Sequence, residues 1–70
     1  MSTSIRKTVL RKASGDWNEL NEVVADMSAE EVLLAIEAEK KRETPRESFL
    51  ERLRQRYTAV KADEARREVQ

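Results

Sequence analysis

Apolar residues recur at helical spacing in three separate runs of the chain. Trp17, Leu20, Val24 and Met27 follow one another at steps of three, four and three, with Val23 beside them. That rhythm marks one face of a short helix. Val32, Leu33, Leu34 and Ile36 form a second, denser run, and Leu50, Leu53, Tyr57 and Val60, widened by Phe49, form a third. A cap signature precedes each run. Asp16 with Glu19 has the D-x-x-E form, and Ser28 with Glu31 is a capping box. Thr44 can cap the third run, with Pro45 at its first helical position and Glu47 completing the box. Met27 lies just before the second cap and Val32 four residues after it, the spacing of a hydrophobic staple. The first two helices should therefore meet at a sharp corner around residues 26–28.

The pattern predicts helices over 16–26, 29–42 and 45–66. This is an all-α, small three-helix domain with a long C-terminal helix, its core drawn from Leu20, Val24, Met27, Val32, Leu33, Ile36, Phe49, Leu53, Tyr57 and Val60. Pro45 discourages a helical Thr44, so the second helix should stop near residues 41–43. Lys40, Lys41 and Arg42 suit its C-terminus. Glu64 and Arg67 occupy the next two heptad positions of the third run, so packing should end near Val60 and residues 67–70 should fray. The domain spans 16–66 and follows a basic, flexible arm over 1–15. In that arm Ile5, Lys7 and Val9 alternate as in a strand, while Ile5 and Val9 are also one helical turn apart. Disorder, an extended segment and a helix all remain open there.

Charge changes the picture more than composition does. The 14 basic and 14 acidic residues cancel, but residues 1–15 carry +4, residues 16–39 carry −8 and residues 40–70 carry +4. Arg6, Lys7, Arg11 and Lys12 could contact phosphates, or could strap the arm over the acidic segment that follows. Asp16, Glu19, Glu22, Asp26 and Glu30 could face a basic partner. Arg42, Arg46, Arg52, Arg54 and Arg56 give the third helix a second basic set, interleaved with Glu43, Glu47 and Glu51, which mainly supports a helix in water.

With no Cys and no His in 70 residues, the chain has neither disulfide nor thiolate or imidazole metal ligands. No cofactor or metal is expected. The usual general base and the most potent nucleophile are missing, and so small a chain has little room for a cleft, so an enzyme is not expected. No apolar run approaches the roughly 20 residues that span a bilayer, and the polar N-terminus lacks a secretion signal. A cytoplasmic protein without a membrane partner is the expectation. The small size and missing staples favour self-association into a dimeric helical bundle. Trp17, Leu34, Leu50, Leu53 and Tyr57 are the candidate interface residues; Trp17 is read either as a core anchor or as an exposed contact.

The order W-x-x-L at Trp17–Leu20, S-x-E-E at Ser28–Glu31 and R-x-S-F-x-x-R-L-x-x-R-Y at Arg46–Tyr57 resembles small uncharacterised proteins of tailed bacteriophages over residues 16–60. That resemblance implies expression in a bacterial cytoplasm during infection and a host protein as target. The leading functional expectation is a non-catalytic protein-binding or regulatory module. The alternatives are a small nucleic-acid-binding or accessory protein, using the arm and the third-helix arginines, and a structural oligomer component.

Overall fold

The computed structural model describes residues 5–68. It is all-α, with four helices among the described residues: α1 Lys7–Ala13, α2 Trp17–Val24, α3 Ala29–Lys40 and α4 Glu47–Glu68. Packing runs α1 on α2, α2 on α4, α4 on α3 and α3 back on α1, so the four close a ring around one core. Ala13, Leu20, Val24, Met27, Val32, Ala35, Ile36, Phe49, Leu50 and Leu53 fill that core, with Val9, Leu10, Val23 and Tyr57 packed against it.

Two of the caps form as their residues dictate. The Glu19 N–H donates to Asp16 Oδ1 at 2.8 Å and the Asp16 N–H to Glu19 Oε1 at 3.1 Å. The Glu31 N–H donates to Ser28 Oγ at 3.2 Å, and the Ser28 N–H returns to Glu31 Oε1 at 2.9 Å. Two orphan donors are thereby satisfied at the start of each helix. Met27 is fully buried at the corner between them. The Asp26 and Met27 N–H groups close the end of α2 on the carbonyls of Val23 and Val24.

The helix count is four rather than three. Helix α1 is seven residues long and has no side-chain N-cap, too short to be stable on propensity alone. It is held by tertiary contacts: Ala13 is buried and Val9 and Leu10 rest on the core. Residues 1–4 of the arm and residues 69–70 of the expected frayed end lie outside the described residues.

The start of α4 also differs. The Leu50 N–H bonds to the Arg46 carbonyl at 3.1 Å, which makes Arg46 the cap, two residues beyond Thr44. The Arg46 N–H and guanidinium are both taken by Glu39, which anchors the start of α4 on α3. At the other end α4 continues to Glu68. Past Val60 it is supported along its own surface by Lys61–Glu64, Asp63–Arg66 and Asp63–Arg67 pairs.

Candidate functional site

Helix α3 buries a surprising set of residues. Glu31, Val32, Ala35, Ile36 and Glu39 face inward, while Leu33 and Leu34 are each 46% exposed. Leu33 was expected in the core. At about 100° per residue the inward arc cannot hold both the two glutamates and the two leucines. The glutamates take it because each meets an arginine that satisfies its charge.

Arg6 caps α1 and clamps Glu31. Its N–H and Nε donate to Glu31 Oε2 at 3.0 and 2.9 Å, and Nη2 reaches Glu31 Oε1 at 2.9 Å and the Asp26 carbonyl at 2.8 Å. Arg46 repeats the arrangement at the start of α4. Its N–H and Nε donate to Glu39 Oε2 at 2.8 and 3.0 Å, and Nη2 to Glu39 Oε1 at 2.8 Å. Nη1 and Nη2 also reach the carbonyls of Gly15 and Ser14 at 2.7 and 3.1 Å, so this one side chain joins the α1–α2 turn to α3 and α4. Hydrogen bonding from Arg6, set against desolvation, holds the Glu31 carboxyl down at about 2. Hydrogen bonding from Arg46 depresses Glu39 in the same way.

The Arg46 guanidinium lies 3.5 Å over the centre of the Phe49 ring, a cation–π geometry. Trp17 meets Phe49 edge to face, with ring centres 5.6 Å apart at 67°. It stands at the rim of the core, 45% exposed, rather than inside it.

The outer face of α3 is a mixed apolar and acidic surface. Glu30 and Glu37 fall between Leu33 and Leu34 around the helix, and neither has an ion-pair partner among the described residues. The remaining candidate interface residues are placed differently. Leu50 and Leu53 are buried by this chain's own helices, and Tyr57 is half-buried. Two residues of the seam expected to pair two copies, Leu50 and Leu53, thus pack within this chain, while Tyr57 and Val60 are only partly covered.

The four basic residues of the arm also divide. Arg6 is held by Glu31, and Lys12 Nζ by Glu22 at 3.1 Å. Those two contacts are the strap over the acidic segment. Lys7 and Arg11 stay exposed one turn apart on α1. Sequence reasoning offered a strap from Arg6 to the acidic segment without naming Glu31 as its acceptor, and it missed the Glu39–Arg46 clamp altogether. The only signal of the two buried glutamates was two acids eight residues apart amid an apolar run.

Among the described residues no cluster of three His, Cys, Asp or Glu could hold a metal ion, and no helix is long and apolar enough to cross a membrane. Comparison of the chain with family models, curated proteins and solved structures finds no match.

Proposed function

We propose that this chain is a non-catalytic protein-binding module whose outer α3 face receives a basic, apolar segment of a partner. The observation that carries the reading is the pairing of two half-exposed leucines with two unpartnered glutamates on one helix face. Apolar area at Leu33 and Leu34 would supply the driving force, and Glu30 and Glu37 the selection for cationic partners.

Charge argues against a second copy as the occupant of this face. In an antiparallel α3–α3 pair centred on the leucines, Glu30 of each copy would meet Glu37 of the other, and like charges so placed repel. The resemblance to phage proteins is the reason to look first among host proteins.

The test is affinity capture from bacterial lysate, with and without nuclease, using the wild-type chain and a Leu33→Ser/Leu34→Ser double variant. A partner retained by the wild type and lost from the variant is the expected result. Equal retention by both, or retention that disappears with nuclease, overturns the proposal.

A further inference from the structure

A second surface is distinct from the α3 face. Where the end of α2 crosses α4, Val24, Ala25, Arg52, Gln55, Arg56 and Ala59 line an open cleft of about 200 Å³. Arg52 and Arg56 are one turn apart, so their side chains leave the helix about 5–6 Å from each other. Among the described residues each is fixed through Nε alone. Arg52 Nε donates to Asn21 Oδ1 at 3.0 Å, and Arg56 Nε to the Met27 carbonyl at 3.1 Å. Asn21 is itself held by its Nδ2, which donates to the Trp17 carbonyl at 2.8 Å.

Neither arginine has a carboxylate partner among the described residues, and no acid lines the cleft. A guanidinium carries five N–H donors, so about four on each remain for a ligand. Arg11 and Arg54 also have no carboxylate partner among the described residues, but they are exposed, whereas Arg52 and Arg56 are half-buried, adjacent and held in place.

We infer that this cleft binds a dianionic phosphate group of the monoester type. Two fixed cations match two negative charges, and planar guanidinia suit the geometry of phosphate oxygens. A carboxylate or a phosphodiester carries one charge and would leave one guanidinium without a counter-charge. Gln55 adds a neutral amide at the rim, while Val24, Ala25 and Ala59 exclude water from one side. The carbonyl end of α2 faces the same cleft and opposes an anion, which keeps the affinity modest.

The inference is tested by titrating 15N-labelled protein near pH 8, where phosphate is largely dianionic, with inorganic phosphate, dimethyl phosphate and acetate. Inorganic phosphate should shift the Arg52 and Arg56 Nε resonances and the Ala25 and Ala59 amides saturably, with a Kd of about 1 mM or tighter. Dimethyl phosphate and acetate should bind at least about tenfold more weakly, a difference of roughly 1.4 kcal/mol. Arg54→Gln, on an exposed position of the same helix, should leave binding unchanged. Arg56→Gln should abolish it but also removes the bond to Met27. Ala59→Glu therefore serves as the second variant, because it places a carboxylate at the cleft and disturbs none of those bonds. Saturation absent at about ten times that concentration, equal binding of dimethyl phosphate, or unchanged binding by Ala59→Glu would each overturn the assignment.

Discussion

The two ends of α3 carry the same device in opposite electrostatic settings. Glu31 lies in the first turn of α3 and also receives the N–H of Arg6, the cap of α1. Both helices present their positive end to it. Glu39 lies in the last turn of α3, where the exposed carbonyls oppose a negative charge, and only the start of α4 favours it. The arginines differ accordingly. The Arg6 side chain is 49% exposed and, among the described residues, is the one basic side chain bonded to Glu31. The Arg46 side chain is 27% exposed, rests on Phe49, and is joined at Glu39 by Arg42 Nε at 3.4 Å. A buried carboxylate at a helix C-terminus needs more compensation than one at an N-terminus, and here it has two arginines and an aromatic ring.

Acid should produce the largest effect, because it acts on both ends together. Each carboxyl is depressed in the fold relative to its ordinary value of 4.5, so the unfolded chain binds protons first. The clamps' contribution is complete above about pH 4.5 and drains away as pH falls below it, toward about 2 for the Glu31 clamp. Urea unfolding across that range should show stability rising with pH, and Glu31→Gln should flatten the slope. A pH-independent midpoint between 2 and 4.5 would remove the clamps from the energetics.

Arg46→Met comes next. It strands Glu39 with only the longer Arg42 contact and should cost about 3–5 kcal/mol, as when one partner of a buried pair is removed. Arg46→Lys should recover less than half of that, since a point charge can neither fork to two oxygens nor stack as a plane. Arg6→Met separates the two ends most sharply. Its loss in urea midpoint should be clearly smaller than that of Arg46→Met, because water reaches this clamp and two helix starts still face Glu31. Equal losses would show that the helix ends do not distinguish the sites. Smallest of all should be Leu33→Ser/Leu34→Ser. These side chains leave the core untouched, so thermal unfolding should change by only about 0.5 kcal/mol per site or less, even though partner capture is expected to fail.

The signals that were legible join residues within one helical turn. Asp16 with Glu19 and Ser28 with Glu31 announced the starts of α2 and α3, and the spacing of Leu20, Val24 and Met27 gave the inward face of α2. What stayed hidden depended on distant partners. Arg6 and Glu31 are 25 residues apart, and Arg46 reaches Ser14 across 32. No periodicity reports such a contact. The same gap explains Leu33. Its hydrophobicity alone placed it inside, whereas two arginines from elsewhere in the chain gave that side of α3 to glutamates. It also explains why Thr44, a good local cap, is passed over for Arg46. Of the surface residues, Leu34 was named as an interface candidate and is exposed, whereas Trp17 was open between a core anchor and an exposed contact and stands at the rim. The cleft at Arg52 and Arg56 was legible only as two arginines one turn apart.

The length of α4 has a hydrodynamic consequence. Its 22 residues extend about 33 Å at ~1.5 Å per residue, longer than either short dimension of a 43 × 22 × 20 Å body. The helix therefore cannot lie across the body and must extend along its length, and its amide N–H vectors, parallel to the helix, follow that direction. A body about twice as long as it is wide tumbles slowly end over end and quickly about its length. Spinning about the length leaves the α4 vectors almost unmoved, so this helix senses mainly the slow rotation, while bonds lying across the axis sense both.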